Sequence, residues 1–144
     1  MIRKSTAMWK GDGLHGTGEL TTQSGAFTKQ PYSFKTRFQS EDGKAGTNPE
    51  ELIGAAHAGC FAMALSFALT EAGHAPESLT VTAAVDLQKV EAGFAIQSIA
   101  LDLEARVPGI DAAKLQTIAE GAKKGCPVSK ALAATPISLT ARLV

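Results

Sequence analysis

The stretch NPEELIGAAHAGCFAMALSFALTEAG, Asn48 to Gly73, carries the strongest start and stop signals in the chain. Thr47 or Asn48 can accept hydrogen bonds from the first free N–H groups of a helix, and Pro49 suits the first helical position. Glu50 and Glu51 set negative charge against the positive end of the helix dipole. The spacing predicts a helix from about Pro49 to Ala72, ended by Gly73. Its apolar residues fall on nearly every face, which predicts burial all round, against a sheet and also against a second chain. Leu52 to Leu69, about 18 residues, is at the short end for a bilayer span. It also contains His57, Ser66 and weakly apolar alanines, so a buried helix accounts for it better.

Working outward, the N-terminal third reads as short strands. Met8-Trp9, the turn Gly11-Asp12-Gly13 and an alternating run to Thr21 resemble a hairpin, weakened by Gly16 and Gly18. Ser24-Gly25 marks a turn, Ala26 to Lys29 a further short strand, and Pro31 bars a central strand just beyond it. Gln39 to Thr47 is polar and glycine-bearing, a surface loop.

Downstream, Leu79, Val81, Ala83, Val85 and Leu87 alternate with mostly polar residues, the period of a half-buried strand. A hairpin around Glu91-Ala92-Gly93 leads to its partner, in which the apolar phase changes from even to odd positions near Gln97. That predicts a bulge, because a slip of one residue turns every later side chain to the other face. Asp111 can cap a helix with Leu115, Ile118, Ala119 and Ala122 on one stripe, stopping near Gly125. Pro127 opens a short helix to Ala131, and Ile137 to Leu143 alternate as a last strand. The order predicts an α+β fold in one domain, residues 1–144.

Composition bounds the function. The 144 residues carry 14 Lys+Arg against 14 Asp+Glu, 44% are hydrophobic, and two are cysteines. A chain of this length buries roughly 68–70% of its unfolded surface, so the core needs neither disulfides nor a structural metal. Zero formal net charge removes the basic field that nucleic acid or an anionic membrane would require. The N-terminus lacks an apolar stretch of secretory type, and a cytoplasmic protein is expected.

Cys60 and Cys126 lack the paired spacing of a zinc ribbon or thioredoxin-like site. Two buried structural thiols are the plain alternative. Cys126 precedes Pro127 at a helix start with Lys123, Lys124 and Lys130 nearby, which favours its thiolate. Local physics therefore selects Cys126 as the nucleophile. Cys60, in the apolar helix, needs a cation brought from elsewhere to ionise. His57 lies one turn before Cys60, where it could orient or deprotonate the thiol or simply be a core histidine; with a single Cys it makes an incomplete metal site. Arg37, in the aromatic-rich PYSFKTRF, is either an exposed strand-end residue or a guanidinium aimed at a thiolate. Glu50 and Glu51 are not separated by these arguments.

NPEELIGAAHAGCFAMAL (Asn48 to Leu65) together with GCPVSKAL (Gly125 to Leu132) resembles the OsmC/Ohr family of thiol-dependent hydroperoxide reductases over essentially the whole chain. QPYSFKTRF (Gln30 to Phe38) followed by GTNPEEL is similar to its osmotically inducible branch. The resemblance implies antiparallel sheets wrapped around long central helices in an intertwined homodimer. It implies Cys60 as peroxidatic thiolate, Cys126 as resolving cysteine, and Arg37 with Glu50 as the polar pair that activates Cys60. It implies organic hydroperoxides as substrates, hydrogen peroxide being weaker, in oxidative and osmotic stress defence. No bound cofactor is implied, only an external dithiol reductant of lipoyl type.

On a straight helix, Glu50 and Cys60 lie about 15 Å apart, so a Glu50 that serves Cys60 comes from the other subunit. The competing function is a non-catalytic binding module for an apolar ligand in the dimer cleft, with incidental thiols.

Overall fold

The computed structural model describes all residues, Met1–Val144, as two compact units, Met1–Leu52 and Ile53–Val144. The first holds a three-stranded antiparallel sheet, β1 (Ser5–Lys10), β2 (Thr17–Thr22) and β3 (Gln30–Ser33), in that order. Gly18, which weakened the sequence reading of β2, pairs with Trp9 on one side and Tyr32 on the other. A Cβ at Gly18 would collide with the Tyr32 ring and crowd the Trp9 indole. The glycine lets those rings meet across the middle strand, 5.5 Å between centroids.

The strand expected at Ala26 to Lys29 is a turn, and the strand is Gln30–Ser33. The Thr22 and Phe27 backbones and the Thr22 hydroxyl hydrogen-bond to one another at 3.0 Å, so these groups close a loop instead of a ladder. Pro31 sits in β3 because β3 is an edge strand, which needs no N–H on its outer side. Arg37 lies in a short helix, α1 (Phe34–Phe38), rather than at a strand end. Ser33 and Thr36 form a reciprocal capping box at 3.2 and 2.9 Å that starts this helix despite its β-favouring aromatics.

The long helix α2 (Pro49–Glu71) begins where the caps place it, with Asn48 Oδ1 accepting the Glu51 N–H at 2.8 Å. It ends with Gly73 at φ 82° and the carbonyls of Leu69 and Thr70 accepting the N–H groups of His74 and Gly73, the two bonds of a Schellman stop. In the second unit, α2 buries His57, Phe61, Leu65 and Leu69, four residues apart along one face. The opposite side is exposed in a single chain, with Met63 65% and Phe67 72% accessible.

That unit also contains β4 (Ser78–Val90), β5 (Gly93–Arg106), α3 (Ala112–Gly125), α4 (Pro127–Ala131) and β6 (Ile137–Leu143). β4 and β5 form a long antiparallel hairpin whose register shifts as Asp86 pairs with Ser98 and Leu87 with Ile96. Gln97 is left over, the bulge announced by the phase change. β6 lies parallel to β5, so this sheet is mixed rather than wholly antiparallel. The helical connection through α3 and α4 carries the chain back to Ile99, midway along β5, as a parallel neighbour requires. Leu101, Leu103, Leu115 and Ala119 close the core with Phe61 and Leu65.

Gly18→Ala is expected to destabilise the first unit by about 1–3 kcal/mol through overpacking. Gly13, with open space at its Cβ position, is the control: Gly13→Ala should leave the urea midpoint nearly unchanged.

Candidate active site

Cys60 is half-buried in the middle of α2, and Cys126 is fully buried at the junction of α3 and α4. Their sulfurs are hydrogen-bonded at 2.9 Å although 66 residues separate them in sequence. A disulfide bond of about 2.05 Å is within small adjustment of that distance. The junction is fixed from both ends: the Cys126 N–H donates to Ala122 at 2.8 Å, and its carbonyl accepts from Lys130 at 3.0 Å.

The two thiols differ electrostatically. Burial pushes Cys60 up, its contact with Cys126 adds to this, and the Val128 N–H opposes it; the net direction is up. Burial also pushes Cys126 up, but the hydrogen bond from Cys60, the Ser129 N–H, the Ser129 hydroxyl and the Val128 N–H outweigh it, and its net direction is down. Within one chain Cys126 is therefore the sulfur that holds negative charge more readily, as the local reading of the sequence expected.

The first unit holds a second polar group. Arg37 grips Glu50 through two bonds, Nη2 to Oε1 at 2.7 Å and Nε to Oε2 at 3.2 Å, the forked geometry that suits a carboxylate. Glu50 is 8% exposed. Glu51 is exposed and accepts from the Thr47 hydroxyl at 2.8 Å. The structure thus separates two carboxylates that the sequence left equivalent: Glu50 pairs with the arginine, and Glu51 serves the helix start.

An OsmC-like protein family model matches residues 41–141. The chain is 56% identical to peroxiredoxin OsmC of Escherichia coli (strain K12) over 132 residues, 92% of this chain and 90% of that protein. The chain belongs to the OsmC family. Solved structures agree in fold. The organic hydroperoxide resistance protein OhrB of Bacillus subtilis superposes with a TM-score of 0.68 at 25% identity, over 98% of each chain. An OsmC-like protein of unknown function from Vibrio cholerae superposes at 0.77 and 16% identity, over 99% of each.

His57 sits one turn before the half-buried cysteine of this OsmC-family chain, yet it does not bond to it. Its Nε2 lies 2.8 Å from Ser129 Oγ on α4, and its Nδ1 has no partner. Ser129, 7% exposed, was not singled out in the sequence. The available signal was its place three residues after Cys126 at a helix start, where a side chain turns back toward the cap. His15 and His74 are occupied elsewhere, by Asp12 and Lys114.

Burial pushes the His57 imidazole below its ordinary value of 6.5. The unfolded chain then takes up a proton that the folded chain refuses. The stabilisation from neutral His57 is complete above pH 6.5 and is lost as pH falls toward the depressed folded value. Urea midpoints should therefore drop between neutral and mildly acidic pH, and His57→Gln should remove part of that slope.

Proposed function

We propose that this chain is a cytoplasmic two-cysteine peroxidase that reduces organic hydroperoxides, and hydrogen peroxide more weakly, in oxidative and osmotic stress defence. Cys60 is the peroxidatic residue. Its thiolate attacks the terminal oxygen of R–O–O–H and the O–O bond breaks. The alkoxide takes a proton to give the alcohol, and Cys60 is left as a sulfenic acid. The Cys126 thiolate then attacks the Cys60 sulfur, the S–O bond breaks, and hydroxide leaves as the disulfide forms. An external dithiol, of lipoyl type by family resemblance, reduces the bridge by exchange. The 2.9 Å approach of the sulfurs is the observation that carries this reading. A resolving thiol already in contact leaves the sulfenic acid little time to oxidise further.

Cys60 needs a cation to ionise, because burial pushes it the wrong way. The Arg37–Glu50 pair supplies one when it comes from a second copy of the chain. The ten-residue helical offset between Glu50 and Cys60 keeps a chain's own Glu50 from serving its own thiol. The exposed Met63 and Phe67 on α2 support a homodimer in which the apolar helix faces meet. Arg37 then stabilises the thiolate, and Glu50 holds the guanidinium in a fixed orientation.

Single-turnover thiol loss with an organic hydroperoxide and with hydrogen peroxide tests the assignment. The parent should lose two thiols quickly, Cys60→Ser should show no fast reaction, and Cys126→Ser should stop at a sulfenic acid on Cys60. Fast reaction in Cys60→Ser would instead make Cys126 the nucleophile, and no fast reaction in any variant would favour an apolar-ligand binding module. Phe67→Glu should shift sedimentation from dimer toward monomer and slow the first step, since the site is completed across the interface.

A further inference from the structure

The mechanism above leaves one buried titratable group unused. His57, fully buried on the inner face of α2, reaches across to α4 and meets Ser129 Oγ at 2.8 Å. Ser129 follows Cys126 by three residues at the start of α4, and its hydroxyl favours the Cys126 thiolate. The His57–Ser129 and Cys126–Cys60 contacts, 2.8 and 2.9 Å, thus make two ends of a line of four side chains, with Ser129 and Cys126 as its middle.

Hydrogen-bond accounting gives the line a direction. Ser129 Oγ has one proton and two acceptor lone pairs. If its proton went to His57 Nε2, the imidazole proton would sit on Nδ1, which is buried and has no partner. A buried N–H without an acceptor is among the rarest features of native proteins. With the proton on Nε2 instead, the imidazole donates to Ser129 Oγ, only a bare lone pair is left at Nδ1, and the serine proton is free to point at sulfur. Burial favours the neutral imidazole, and the partnerless Nδ1 selects the tautomer with its proton on Nε2.

We propose that His57 is a positioning residue that fixes the Ser129 hydroxyl as a donor to Cys126, preparing that sulfur to attack the Cys60 sulfenic acid. The inference rests on the two-cysteine reading for its role in turnover, and it concerns the second step only. In that step the Cys126 thiolate forms the S–S bond, the Cys60 S–O bond breaks, and hydroxide leaves and is protonated by solvent. The Ser129 proton stays on Oγ throughout, and no net transfer through His57 is needed.

Other charged groups on the surrounding elements are committed elsewhere or lie to one side. Lys123 pairs with Glu120 at 2.8 Å and reaches the Ile137 carbonyl at 3.4 Å. Lys114 meets His74 at 2.8 Å, and Arg142 on β6 is held by Asp102 and Glu104. Lys124 and Lys130 line a cavity of about 360 Å³ that Ser129 also borders. Neither lysine side chain hydrogen-bonds the Cys126 sulfur.

The decisive test uses Cys60→Ala, in which Cys126 is the sole thiol, and follows its ionisation by ultraviolet thiolate absorbance against pH. Adding Ser129→Ala or His57→Leu should raise the titration midpoint, cutting the thiolate fraction near neutrality roughly tenfold. His57→Gln should restore it, because the glutamine amide can donate from the position of Nε2. Combining His57→Leu with Ser129→Ala should be no worse than Ser129→Ala alone. With both cysteines present, His57→Leu should accumulate the Cys60 sulfenic acid, its formation unchanged and disulfide closure slowed. An unshifted midpoint in Ser129→Ala, His57→Gln as impaired as His57→Leu, or additive effects in the double variant would overturn the proposal. Should His57→Leu fail to fold, Ser129→Ala alone decides through its midpoint. The absorbance arm requires no peroxide, so it stands or falls separately from the peroxidase reading.

Discussion

Three apolar side chains on one face of α2, Phe61, Leu65 and Leu69, share a core with Leu101 and Leu103 of β5 and with Leu115 and Ala119 of α3. Each of the three is completely buried. This seating fixes the rotation of α2, and the rotation determines what the next turn toward the N-terminus presents. His57 continues the buried stripe, and Cys60, one position off it, comes out beside the α3–α4 junction. The chemistry of the site therefore depends on hydrophobic packing that contains no reactive atom. A rotation of α2 by one residue, about 100°, would carry Cys60 away from Cys126 and His57 away from Ser129 together.

The polarity within the thiol pair follows from backbone position. Cys126 stands at the opening of α4, where the Val128 and Ser129 N–H groups lack helical acceptors and turn toward sulfur. Cys60 stands within a helix whose own N–H groups are mostly spent on carbonyls one turn back, and it gains only the Val128 N–H. A single chain therefore favours negative charge on Cys126 and disfavours it on Cys60. In the homodimer proposed above, the forked Arg37–Glu50 pair of a second copy is the missing half.

Much of this was legible in the residues. The limits of α2, the β4–β5 alternation, the bulge at Gln97 and the apolar stripe of α3 all rest on signals a few residues long that tertiary contacts reinforce. The family motifs gave the fold and the activity. What escaped was governed by competition or by distance. PYSFKTRF favours extended backbone by composition, and only the reciprocal Ser33–Thr36 bonds turn it into a helix. The loop from Thr22 to Phe27 closes through a threonine side chain rather than through turn residues alone. Ser129 and the choice between Glu50 and Glu51 depend on partners 72 and 13 residues away, which no local pattern encodes.

The parallel pairing of β6 with β5 has a consequence for biosynthesis. The segment that bears Cys126 is held between α3 and the last strand, so it is secured only when the C-terminal residues have emerged. Cys60 precedes Cys126 by 66 residues, an interval of about 3 to 13 s at a ribosome moving roughly 5–20 residues per second. During that interval the nascent chain exposes a cysteine with no resolving partner, and oxidation there would pass the sulfenic stage toward irreversible acids. In the proposed homodimer the activating arginine arrives only when two finished chains meet, which would keep that early thiol unreactive while it is undefended.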